Sequence, residues 1–144
     1  MKPPAALSLD LDDKWSYLQT RADSAWRSLP TFLPLPIERI LALTAEYRQP
    51  ITIFIVGQDA ALPRNEPLLR ALHTAGHELG NHSFRHEAWR IYLPEGNAER
   101  EIADTAAALH AATGVTPAGF RAPGFRWSPE ILDILQHHGY RYDA

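Results

Sequence analysis

Ile51-Thr52-Ile53-Phe54-Ile55-Val56-Gly57 is the run that decides the fold class. It is apolar, mostly β-branched, and reads as a strand buried on both faces, the habit of parallel sheets. Upstream, Ile37 to Arg48 carries Ile37, Ile40, Leu41 and Leu43 at helical spacing, and Pro50 closes it. Downstream, Asn65 to Ala75 reads as a helix ended by Gly76, then a short strand from Glu78 to Asn81. The alternation continues in both directions. Ala6 to Leu11 alternates apolar and polar residues as a first strand, with Asp12-Asp13 at its C-terminal end. Asn97 to Thr113, rich in alanine and stopped by Gly114, is a helix, and Ala118 to Arg121 a short strand. Ser128-Pro129 is an N-cap with proline at N1, opening a helix that Gly139 ends before a strand from Tyr140 to Asp143. Lys14 to Pro36, with Trp15, Tyr17, Trp26, Phe32 and three prolines, is expected as a structured loop with a short helix. Strand and helix in turn predict an α/β architecture with a mostly parallel sheet, whose C-terminal strand ends share the edge where sites are built.

Composition narrows the chemistry. The 144 residues fit one domain without internal repeats. A formal charge of −3 leaves no basic footprint for nucleic acid and no polybasic membrane patch. Without cysteine, any metal must be held by His, Asp or Glu. No apolar run reaches the roughly 20 residues a bilayer requires. Met1-Lys2-Pro3-Pro4-Ala5-Ala6 has no long apolar h-region, so a cytoplasmic location is expected.

Three segments carry candidate chemistry, each just after a strand. In Gly76 to His86, His82 and His86 lie four apart and could share the face of one helical turn, aiming two imidazole nitrogens at one point. Such a spacing is common by chance, but Gly76 and Gly80 permit tight turns beside it. His77 reads as a packed residue, and His73, His110, His137 and His138 as solvated helix positions. A carboxylate from elsewhere would complete a His-His-Asp metal site, and a second could act as a base on water. Asp10, Asp12 and Asp13 crowd like charges at the mouth of a buried strand, a cost that a cation would offset. In Phe120-Arg121-Ala122-Pro123-Gly124-Phe125, a guanidinium on a proline-stiffened turn could orient a catalytic carboxylate, and the Gly124 N–H is a candidate oxyanion donor. Together these point to a metal-dependent hydrolase.

The ordered segments Asp10-Leu11-Asp12-Asp13-Lys14, His82-Ser83-Phe84-Arg85-His86 and Arg121-Ala122-Pro123 resemble the motifs of the polysaccharide deacetylase family, carbohydrate esterase family 4, also called the NodB-homology domain. The resemblance spans nearly the whole chain. It implies a distorted, partial (β/α) barrel and a divalent metal, usually zinc, held by Asp13, His82 and His86. Asp12 would be the general base on a metal-held water, Arg121 would orient Asp12, and Gly124 would share the oxyanion. The implied substrate is an N-acetylated amino sugar or oligosaccharide, or a small amide. Two departures stand out: Asp10 and Lys14 replace the motif's threonine and glycine, and the family's fourth and fifth motifs, which include the leaving-group histidine, have no counterpart here. Residues 1–144 are therefore expected to form a C-terminally incomplete deacetylase domain of four to five βα units, at about 30 residues each. One rival reading is a catalytically inactive metal- and carbohydrate-binding module with Trp15, Tyr17 and Trp26 as stacking platforms. The other is a haloacid-dehalogenase-type phosphatase using Asp10 as nucleophile and Asp12 as acid/base, which leaves the histidine pair and Arg121 unused.

Overall fold

Strand β2 (Thr52–Ile55) lies between β1 (Ser8–Leu11) and β3 (Glu78–Asn81), and all its pairings are parallel. The computed structural model describes residues 5–21, 25, 28–87 and 98–144. Short strands β4 (Gly119–Phe120) and β5 (Tyr142–Asp143) extend the sheet to five, in the order β1-β2-β3-β4-β5. Each strand adds beside the previous one, as in a (β/α) barrel and unlike a doubly wound sheet, whose order reverses. The connections carry α1 (Lys14–Thr20), α2 (Pro34–Tyr47), α3 (Gly57–Ala60), α4 (Glu66–Thr74), α5 (Ala98–Thr113) and α6 (Pro129–His137). Among the described residues no helix is long and apolar enough to cross a membrane.

Local chemistry accounts for the boundaries. The carboxylate of Asp13 accepts the Lys14 N–H and caps α1, so the expected long loop begins with a helix. Arg48 takes a left-handed conformation at the end of α2, ahead of Pro50. The Ser128 hydroxyl accepts the Ile131 N–H with Pro129 at the first helical position, as the sequence indicates. Strand β1 starts at Ser8, not Ala6. Trp26, Asn97 and Met1 to Pro4 lie outside the described residues.

The helices cover one face of the sheet. Leu11, Ile53, Ile55 and Leu79 pack there against Leu33, Ile37, Leu69, Leu72 and Leu109. A second apolar group joins Phe120 and Ala122 to Ala98, Ile102, Ile131 and Leu135. Because side chains alternate along a strand, the opposite, concave face receives Ser8, Asp10, Phe54, Gly80 and Tyr142. Asp10, Phe54 and Gly80 fall in one cross-strand layer. The Phe54 ring fills the space that a side chain at position 80 would need, only 2.5 Å from an added Cβ.

That contact generates a test. Gly80→Ala must displace the fully buried Phe54 ring, and overpacking of this kind costs about 1–3 kcal/mol. Urea unfolding should show the loss, and an unchanged midpoint would mean that Phe54 does not occupy the gap.

Candidate metal centre

The alternation of β1 continues one residue beyond it, so Ser8, Asp10 and Asp12 follow one another up the concave face. His82 follows β3 with the parity of Gly80, and Arg121 follows β4 with the parity of Gly119. All reach the C-terminal edge of the sheet. The segment from His82 to His86 is a turn with left-handed residues at Ser83 (φ 61°) and His86 (φ 55°), not the helical turn expected from the spacing. The Ser83 hydroxyl accepts the His86 N–H at 3.2 Å, closing the turn, and the two imidazoles lie 5.0 Å apart between centroids.

The donors converge on Asp12. Its Oδ1 lies 3.5 Å from His82 Nε2 and its Oδ2 lies 3.3 Å from His86 Nε2. Tyr17 donates its hydroxyl to Asp12 Oδ2 at 3.0 Å. One ligand atom from each of Asp12, His82 and His86 fits within 4.8 Å of the others. A second contact fixes the imidazole of His82. Its Nδ1 lies 2.7 Å from the Arg121 carbonyl, which can only accept, so Nδ1 carries the proton and Nε2 is left with its lone pair toward the cluster. Asp12 Oδ1 is buried without a hydrogen-bond partner. With an orphaned carboxylate oxygen and an oriented imidazole lone pair among donors so close together, these three residues could hold a metal ion. The cluster opens into a cavity of about 350 Å³, also lined by Asp10, Arg21, Gly124 and Phe125. Two other hollows, about 330 Å³ beside Trp15 and Asp59 and about 440 Å³ around His77, gather no such donor set among the described residues.

Electrostatics agree with this geometry. Burial alone would raise the Asp12 carboxyl, but the hydrogen bond and charge of His86, the charge of His82 and the Tyr17 hydroxyl outweigh it and lower its pKa. Burial lowers the pKa of His82 against the opposing charges of Asp12 and Asp10, which favours the neutral imidazole that a metal requires.

Two residues lie elsewhere than expected. Asp13 does not join the histidines: it is 1% exposed, has the opposite parity to Asp12, and caps α1. Asp12 takes the place in the cluster expected of Asp13. Arg121 does not reach Asp12 either. Its Nη1 donates to Asp10 Oδ1 at 2.7 Å and its Nη2 to the Ser8 hydroxyl at 2.7 Å, while the guanidinium lies 4.2 Å above the Phe54 ring. Asp10 in turn places Oδ2 3.8 Å from His82 Nε2. Gly124 lines the cavity with φ 71°. His77 is packed as expected, accepting the Ile51 N–H on Nδ1 and meeting the Thr44 hydroxyl on Nε2.

Two buried acids escaped the sequence reading. Glu101 accepts the N–H groups of Phe84 and Arg85, inside the histidine turn. It sits among Ala98, Ile102, Thr105 and Leu109 on the buried stripe of α5, and a charge on such a stripe is the signal that could have found it. Asp59 accepts the Trp15 indole N–H at 2.9 Å; burial, reinforced by the charges of Asp13 and Asp12, lifts its pKa from 3.8 to about 6 despite the hydrogen bonds it accepts.

These placements separate the neighbouring aspartates by experiment. Asp13→Ala should lose a helix cap, about 1 kcal/mol by denaturation, yet keep cobalt binding, whereas Asp12→Ala should lose cobalt binding. Loss of cobalt in a folded Asp13→Ala chain would return Asp13 to the ligand set. Because the folded pKa of Asp59 is raised, its contribution to stability is complete below pH 3.8 and disappears as pH rises through about 6. Asp59→Asn should therefore gain stability relative to the parent across that window, measured by urea midpoints; a pH-independent difference would show that Asp59 titrates normally.

Most of the chain is similar to known proteins. The polysaccharide deacetylase family model matches residues 29–142. A peptidoglycan deacetylase of Helicobacter pylori is 29% identical over 107 residues, covering 74% of this chain and 36% of that protein. The structure of a family 4 acetyl xylan esterase from Clostridium thermocellum, in complex with a cobalt ion, aligns at TM-score 0.68 and 25% identity, over 90% of this chain and 53% of that one. A family 4 pseudoenzyme from Bacillus anthracis shares the fold at TM-score 0.72 and 18% identity, over 96% of this chain and 41% of that one. The chain thus spans about a third to a half of the length of these proteins. With the matched segment covering most of its length, this chain belongs to the polysaccharide deacetylase family.

Proposed function

We propose that this chain carries the water-activating half of a metal-dependent deacetylase acting on N-acetylated amino sugars, with Asp12, His82 and His86 as the metal ligands. The observation that carries the reading is the convergence of these three residues beneath a cavity that also holds an arginine-oriented second carboxylate, Asp10. The name of the Helicobacter pylori relative supports peptidoglycan as one substrate class, and the cobalt in the Clostridium structure supports a divalent ion, with zinc the expected occupant. When bound, such an ion would polarise the acetyl carbonyl and acidify a water.

The remaining roles fall to the chain itself. Asp10 is the general base: Arg121 fixes one of its oxygens, leaving Oδ2 facing the cluster to accept a proton from the attacking water. This moves the base from Asp12, where the motif resemblance put it, to Asp10. The Arg121 carbonyl holds the His82 tautomer, so one residue sets both the base and a ligand. The Tyr17 hydroxyl holds the second oxygen of Asp12. Gly124 lines the cavity, and its N–H is the donor assigned to the developing oxyanion. Only His82 and His86 among the histidines line this cavity in the described residues, so the leaving amine draws its proton from elsewhere and turnover by this chain alone is slow.

Likeness to a pseudoenzyme at 18% identity carries the fold and not its inactivity. Acetate release from N-acetylated chitooligosaccharides, with zinc or cobalt added, tests the reading. Asp10→Asn should keep cobalt binding and lose about 10²–10⁴-fold in kcat, the usual worth of a general base. Arg121→Ala should follow it, with the metal retained. Full turnover in either variant would remove that residue from the mechanism, and a parent chain that binds no divalent ion would overturn the metal reading.

A further inference from the structure

The turn that carries the two site histidines is gripped from outside the cavity on both sides. On one side Gly57 and Gln58, at the start of α3, donate their N–H groups to the carbonyls of Ser83 and Phe84, each at 2.9 Å. An added Cβ at Gly57 would come within 2.5 Å of the Phe84 ring, so backbone and turn are in close contact there. On the other side a single oxygen of Glu101, Oε2, accepts the Phe84 N–H at 2.9 Å and the Arg85 N–H at 2.7 Å. Oε1 of the same carboxylate lies 3.6 Å from the Arg85 guanidinium. Glu101 is 7% exposed and belongs to the face of α5 that otherwise buries Ala98, Ile102, Thr105, Leu109 and Ala112.

We propose that Glu101 is a positioning residue for the metal centre, acting through the backbone of Phe84 and Arg85 on the placement of His82 and His86. The inference rests on the metal reading above. Ser83 and His86 both hold left-handed backbone, a conformation that residues with a Cβ adopt only when their surroundings impose it. The α3 amides fix the carbonyls of the turn and Glu101 fixes its N–H groups, so the backbone between the ligands is restrained on both edges. A buried carboxylate is expensive, and for Glu101 the two backbone donors offset part of that cost. The pair of bonds ties the histidine turn to α5, a long helix, and not merely to its own loop.

Cobalt titration of the parent chain, Glu101→Ala and Glu101→Gln, followed by calorimetry and visible absorption, tests this. Glu101→Ala should bind cobalt about 10–100-fold more weakly, with a changed ligand-field spectrum, the effect expected when support behind a metal ligand is lost. Glu101→Gln keeps an oxygen that can accept both N–H groups and should restore most of the affinity and the parent spectrum. Amide exchange provides the second measurement: Phe84 and Arg85 should be protected in the parent and in Glu101→Gln, and exposed in Glu101→Ala. Parent-like cobalt affinity and spectrum in Glu101→Ala would overturn the proposal. So would rapid exchange at Phe84 and Arg85 in the parent, a result that stands even if the alanine variant fails to fold. A parent that binds no cobalt but shows the expected exchange pattern would defeat the metal reading while leaving the grip of Glu101 on the turn established.

Discussion

The hydrogen bonds from Arg121 to Asp10 and Ser8 hold together what the rest of the site depends on. Arg121 follows β4, Asp10 and Ser8 belong to β1, and two strands stand between them. In a flat sheet three strand spacings would separate the partners by about 14 Å, well beyond the reach of an arginine side chain. The bonds at 2.7 Å therefore require a sheet that curls, bringing its first and fourth strands toward each other across the concave face. Phe54 supplies the floor for this crossing, with its ring under the guanidinium and its edge in the gap left by Gly80. Curvature, ion pair and the small residue at position 80 form one arrangement.

The same curvature explains why the acids of β1 can coexist. Asp10 faces a guanidinium and Asp12 faces two imidazoles and a phenol, so each meets a different partner on the concave side. Asp13 points the other way and spends its carboxylate on a helix N-terminus, where negative charge is favoured. Like charges are thus distributed over three environments by strand parity and by one cap.

Much of this was legible in the sequence, and the failures have physical causes. The β-branched run from Ile51 to Val56, the capped helix at Ser128-Pro129 and the glycine stops mark local preferences, and local preferences survive into the fold. The segments that meet at the site were also legible, because the C-terminal ends of parallel strands must share an edge. The position of Asp12, and not Asp13, beside the histidines follows from the alternation Ser8, Asp10, Asp12, which the adjacent pair of aspartates conceals. The partner of Arg121 depends on how strongly the sheet curls, which no short window encodes. Glu101 meets the turn across sixteen or seventeen positions of chain, and only its intrusion on an apolar stripe hints at the contact.

Arg121 also gives its backbone carbonyl to His82, and that couples two properties usually thought of as separate. The carbonyl is placed by the pairing of β4 with β3, where Phe120 stands opposite Asn81 and the Arg121 N–H bonds the Asn81 carbonyl. A slip of one residue in that two-residue strand would turn the guanidinium to the helical face and withdraw the acceptor from the imidazole at once. Strand registry here acts as a selector of proton position: which nitrogen of His82 is bare is decided not by acidity but by where a peptide bond in the next strand comes to rest.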